Sequence, residues 1–142
     1  MVKSHSERNR DTVIAFFDGT HSGNVDVIDQ TVSPNIVTHG FPCHSPQSIA
    51  EYKQFFRDFG AGFTNMTYKK LSVLAEGDRV AVRFSIAVDH TGDYLGIPPT
   101  GKRVEFEGMV LYRLDHGLIV ETWLHLDGLS FMSQIGAVKM AA

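Results

Sequence analysis

Arg79-Val80-Ala81-Val82-Arg83-Phe84-Ser85-Ile86-Ala87-Val88-Asp89 is the stretch on which the fold turns. Val80, Val82, Phe84, Ile86 and Val88 alternate with Ala81, Arg83, Ser85, Ala87 and Asp89, the period of two that a pleated strand imposes on its side chains. One face is apolar and the other is small with one cation. The apolar face calls for helices packed against it. The small face also reads as covered, because an exposed sheet of this kind invites aggregation. The expectation is a strongly curved sheet whose concave side wraps helices and whose other side pairs with a second copy. That predicts a homodimer, with a tetramer also open.

Strands of the same kind flank this one, from Thr64 to Ala75, Lys102 to Leu114 and Leu118 to Leu126, joined by turns at Glu76-Gly77-Asp78 and Asp115-His116-Gly117. These are successive antiparallel hairpins. Upstream the apolar period becomes helical. Ser4 with Glu7 forms a capping box, and Val13, Ile14, Phe16 and Phe17 make a stripe that stops at Gly19. A second helix fits Asn24 to Thr31, capped by Asn24 and ended by Ser33-Pro34, which releases a short strand from Asn35 to His39. Ser45 as N-cap and Pro46 at the first helical position open a third helix, with a stripe of Ile49, Tyr52, Phe55, Phe56 and Phe59 closed by Gly60. A short helix around Leu129 to Ile135 ends the meander. Helices first and strands after is an α+β arrangement, read as one domain over residues 1–142 with no internal repeat or linker.

The 142 residues, 43% hydrophobic, suffice for one sizeable core. Thirteen basic and 16 acidic residues are intermixed for a net charge of -3, so no electrostatic footprint for nucleic acid or an anionic membrane is present. No run of about 18 apolar residues exists to span a bilayer. The lone Cys43 has no intramolecular disulfide partner, and the polar start Met1 to Ser6 has no apolar signal region, so a reducing cytoplasm is the expected compartment.

Chemistry is sought first at the end of the last strand, where Leu118-Ile119-Val120-Glu121-Thr122-Trp123-Leu124-His125-Leu126-Asp127 runs mostly apolar and then delivers an aromatic, an imidazole and a carboxylate. A carboxylate beside apolar surface is costly unless paired or put to use, which makes Asp127 the first candidate for general acid and base on a carbon-bound proton. His39 or His90 can donate to a developing enolate oxygen, and Arg83 can hold a carboxylate or ester carbonyl. The expected pocket brings His39, Arg83, Trp123 and Asp127 together, with His90 and the aromatics Phe16, Phe17, Tyr52 and Phe56 as further substrate contacts. Each has a plainer reading. Asp127 can simply cap the helix that begins at Gly128. Arg83 can pair across the sheet with Glu105, Glu107 or Asp89. His39, His90 and His125 can be core or turn residues bonded to backbone. The seven histidines show no zinc spacing, so no metal and no cofactor are expected. Phosphate-binding glycine loops and a serine elbow are also missing.

In this order of elements, His90-Thr91-Gly92-Asp93-Tyr94-Leu95-Gly96-Ile97-Pro98-Pro99-Thr100-Gly101-Lys102-Arg103-Val104, then Gly117 to Trp123 with Asp127, resembles the SnoaL-like polyketide cyclase family. The terminal Gln134-Ile135-Gly136 is similar to that family's Gln-Leu-Gly. The resemblance covers nearly the whole chain. It implies the cone-shaped α+β barrel of the nuclear transport factor 2-like superfamily, with three N-terminal helices packed in a mainly antiparallel sheet. It also implies a cofactor-free enzyme that acts on a hydrophobic carbonyl compound by proton abstraction and intramolecular aldol-type ring closure. The family's acid/base aspartate corresponds to Asp127. Where the namesake cyclases carry a histidine on the preceding strand, this chain carries Arg113. An isomerase or hydrolase using the same carboxylate, or a module that binds a small apolar ligand without chemistry, would leave nearly the same sequence.

Overall fold

The computed structural model describes residues 2–139; Met1 and residues 140–142, at the two ends of the expected domain, lie outside it. Helix α1 is His5–His21, capped by Ser4 and Glu7 in a reciprocal capping box. Helix α2 is Val27–Thr31, strand β1 is Val32–His39 and helix α3 is Ile49–Gly62. Then come β2 Phe63–Glu76, β3 Arg79–His90, β4 Arg103–Asp115, β5 Leu118–Leu126 and a short α4, Gly128–Gln134. One curled, unclosed sheet runs β1-β5-β4-β3-β2, antiparallel throughout except for the parallel pair of β1 with β5. This is the cone-shaped α+β fold that the strand alternation and the resemblance predict.

The alternation of β3 is realised residue by residue. Val80, Val82, Phe84, Ile86 and Val88 are buried on the concave side, and Val104, Phe106, Val110, Tyr112 and Leu114 of β4 continue that surface. Phe16 and Phe17 of α1 and Tyr52 of α3 pack into it. Gly108, inside β4, leaves room there: a Cβ at this position would meet Phe84 Cζ at 2.6 Å and Leu126 Cδ2 at 2.9 Å.

Helix α1 runs past the expected stop at Gly19 to His21, and three further elements depart from the sequence expectation. Helix α2 begins at Val27 rather than Asn24, and its N-cap Asp26 makes no side-chain capping bond. Strand β1 already begins at Val32, with Pro34 inside it. This is tolerated because β1 is an edge strand and its register to β5 is irregular between Val32 and Val37, so no ladder donor is required of Pro34. Helix α3 starts later than Ser45-Pro46, at Ile49, with Ser48 as the N-cap whose hydroxyl accepts from Glu51 N–H, and it runs through Gly60 to Gly62.

The register of β5 has the largest consequence. Arg113 pairs with Glu121 but Leu114 with Ile119, so Val120 is an extra residue, a β-bulge. Strict alternation from the buried Ile119 would carry Trp123 and His125 inward. The bulge reverses the parity, so Thr122, Leu124 and Leu126 face the core side while Glu121, Trp123 and His125 face out.

Candidate active site

A cavity of about 600 Å³ lies between the concave sheet and helices α1 and α3, within the range of small-molecule sites. Phe16, Phe17, Tyr52 and Phe56 line it, and so do Phe41, Phe59, Phe63, Tyr94, Phe106, Tyr112 and Phe131. The rings interlock: Phe16 meets Tyr52 at 5.3 Å and Tyr112 at 5.7 Å, and Tyr52 stacks on Phe56 at 5.6 Å. Such an array follows from the α3 stripe, which places aromatics three and four residues apart on one helix face. Exposed Arg57 and Asn65 stand among the lining residues. Among the described residues the wall carries no carboxylate.

The four polar residues expected to share this cavity do not line it. Asp127 is exposed and is the N-cap of α4, its Oδ1 accepting from Ser130 N–H at 3.4 Å. It borders a separate shallow depression with Leu129, Ser130, Ser133 and Gln134. Arg83 is exposed and paired across the sheet with Glu107 at 3.0 Å. His39 and Trp123 sit opposite one another on the outer face, stacked at 5.5 Å, Trp123 because the β5 bulge turns it outward and His39 because Ile36 and Thr38 take the inward positions of β1. His39 Nε2 lies 2.8 Å from Glu121, which also receives Arg113 at 3.1 Å. These two partners, His39 first, hold the Glu121 carboxyl below its ordinary range. Arg79 lies 5.5 Å over the Trp123 ring, so the outer cluster satisfies itself.

His90 is wholly buried and stacks on Phe63 at 5.0 Å. Its Nδ1 accepts from Thr100 N–H at 3.3 Å and lies 3.1 Å from the Thr100 hydroxyl. His90 N–H donates to Lys102 O and Gly101 N–H to His90 O, so the imidazole pins the 91–102 loop to β3 instead of facing the cavity.

His21 is a lining residue that the sequence reading passed over. It closes the spacing Val13, Phe17, His21 on α1, four residues per step, a signal hidden by taking Gly19 as the helix end. Its ring stacks on Phe17 at 4.0 Å and 13°, with Phe56 and Tyr68 beside it. Burial pushes its pKa down to about 4, against opposing effects of the Phe17 carbonyl and Asp18. Asp18 is itself held by Lys70 and by the Tyr68 hydroxyl at 3.2 Å. The wall tyrosines are driven the other way, by burial: Tyr94 to about 12, and Tyr52 and Tyr112 upward as well. Near neutral pH the cavity therefore offers a neutral imidazole and protonated phenols. Among the described residues, no three of His, Cys, Asp and Glu come together as a metal-ion site, and no helix is long and apolar enough to cross a membrane.

Comparison with known proteins gives a family and a set of folds. The family model described as SnoaL-like polyketide cyclase matches residues 10–135. A solved chain from Jannaschia sp. CCS1, described as a candidate SnoaL-like polyketide cyclase, is 26% identical with a TM-score of 0.85, covering 98% of this chain and 99% of that one. IdmH from Streptomyces antibioticus, described as a candidate polyketide cyclase, is 26% identical with a TM-score of 0.75, over 90% of this chain and 98% of its own. AclR from Streptomyces galilaeus, described as a candidate hydroxylase, shares the fold at 22% identity and a TM-score of 0.82, over 94% and 99%. No protein of curated function matches the chain.

Proposed function

Because the chain belongs to the SnoaL-like polyketide cyclase family, we propose that it takes a hydrophobic aromatic carbonyl compound into its cone and, without a cofactor, closes a ring in it by intramolecular aldol-type attack. The observation that carries this reading is the aromatic-walled cavity of about 600 Å³, since an enclosed apolar site suits an extended aromatic ketone whose enolate charge is spread over its own rings.

For the proton transfer the geometry supports His21 over Asp127. In this mechanism His21 Nε2 takes the hydroxyl proton of the enol form of a 1,3-dicarbonyl group. The resulting enolate carbon bonds to another carbonyl carbon of the same molecule, and the new alkoxide takes the proton back. Burial disfavours a lone imidazolium, yet an imidazolium formed beside its enolate is a net-neutral pair, which offsets part of that cost. Turnover of a linear aromatic polyketide ketone is the test. His21→Phe should lower it by roughly 10²- to 10⁴-fold, and Asp127→Asn should leave it within about twofold. Loss of turnover in Asp127→Asn at unchanged thermal midpoint would restore Asp127 as the base.

A second reading, an apolar ligand-binding module without chemistry, is favoured by the lack of a carboxylate among the described wall residues and by the capping role of Asp127. It predicts tight binding of such ketones with no product. For assembly we propose a homodimer through the outer sheet face, where Val37, Met109 and Leu111 are exposed around Trp123.

A further inference from the structure

His21 is a cavity residue whose hydrogen bonding is incomplete in a defined direction. Its Nδ1 lies 2.8 Å from the Phe17 carbonyl oxygen, which has no proton to give, so Nδ1 carries the ring hydrogen and donates it. The Thr20 hydroxyl, 3.1 Å from the same nitrogen, donates instead to the Phe16 carbonyl at 2.8 Å and does not displace that bond. In a neutral imidazole so fixed, Nε2 is a bare acceptor. It has no partner among the described residues, and unlike His90 Nε2 it is not sealed from open space. Phe17, Phe56 and Phe84 crowd the ring without offering it a donor. The charged pair Asp18 and Lys70 is near, but burial outweighs it and keeps the imidazole neutral.

We infer that His21 Nε2 accepts a hydrogen bond from a hydroxyl carried on an aromatic ring of the ligand, so that the cavity selects phenolic or enolic aromatics over their ethers. This rests on the reading of the cavity as a site for aromatic carbonyl compounds and narrows it. The orientation follows from α1. The Phe17 carbonyl fixes the tautomer, the Phe17 ring fixes the plane, and the ligand supplies the missing donor. A methyl ether of the same ring system has the same shape but no proton, and leaves Nε2 desolvated and unpaired, which is how a polar group in an apolar wall discriminates.

The test uses the full chain at pH 7 with 2-naphthol and 2-methoxynaphthalene, followed by quenching of intrinsic fluorescence. Wild type should bind 2-naphthol about 3- to 10-fold more tightly than the ether. His21→Phe, which keeps a ring on Phe17, should bind both alike. In wild type labelled with ¹⁵N-histidine, the unprotonated ring nitrogen of His21 should shift on addition of 2-naphthol and not of the ether, a readout that does not depend on how well the variant folds. Equal binding of both probes by wild type overturns the inference and leaves the cavity reading standing. Binding of neither overturns both. A preference that survives in His21→Phe, or an unmoved ¹⁵N signal, removes the hydroxyl from His21.

Discussion

The imidazole that faces the cavity also makes stability depend on pH. His21 titrates near 4 in the folded chain against an ordinary value of 6.5, so below about 6.5 the unfolded chain takes up a proton that the folded chain refuses. This contribution to stability is complete above pH 6.5 and is lost progressively as pH falls towards 4, amounting to about 3 kcal/mol across that window. Asp18 and Lys70 act on the ring with opposite signs. Glu51, Asp89 and Glu121 are all held below the carboxylate range by their partners and titrate at lower pH. Urea midpoints at pH 7.5 and 5 should therefore fall more in wild type than in His21→Phe; equal losses would contradict the burial of a neutral imidazole. Asp127→Asn should change stability by less than about 0.5 kcal/mol, because asparagine caps a helix as well as aspartate does. A thermal midpoint lowered by many degrees would mean the side chain does more than cap. The sequence showed both roles for Asp127 without a way to choose, since a carboxylate that ends a strand and begins a helix serves catalysis or capping with the same neighbours in sequence.

At the scale of elements, the outward placement of Trp123 has a single cause. Trp123 and His125 lie on a strand whose parity Val120 inverts, and nothing in Leu118-Ile119-Val120-Glu121 marks the extra residue, because apolar and β-branched side chains suit both faces of such a strand. The alternation of β3 was legible because its two faces differ in kind. Because Val120 is the extra residue, deleting it should leave a regular β4–β5 ladder in which Thr122, Leu124 and Leu126 still face the core. The expected result is a folded chain by circular dichroism that still binds 2-naphthol, and an unfolded or aggregated variant would refute the bulge. The turn after β1 is as constrained. Gly40 has φ +83° and a Cβ there would lie 2.1 Å from Leu124 O, so Gly40→Ala should cost on the order of 2 kcal/mol or more in chemical denaturation. An unchanged midpoint would show that this rim can move aside.

The whole molecule leaves a question that the strand pattern raised and a single chain answers only by its surface. The concave face is filled by its own helices. The outer face carries a row across four strands, Ala81, Leu111, Trp123 and His39 in register, with Met109 and His125 alongside. Val37, Met109 and Leu111 are 39%, 47% and 36% exposed, a contiguous apolar band edged by the Arg83–Glu107 and Arg113–Glu121 pairs. Isolated exposed side chains need no explanation, but a band of this kind on a sheet marks an interaction surface. A second copy related by a two-fold axis would lay the band on itself. Wild type should then scatter light as a dimer at micromolar concentration. Leu111→Glu places a carboxylate at the centre of the buried patch and should weaken association by roughly 100-fold or more, giving a monomer that keeps the helix and strand content of the parent. Because the cavity opens on the opposite side of the sheet, that monomer should still bind 2-naphthol. A wild-type chain that is monomeric at the same concentration would assign the apolar band to some other partner.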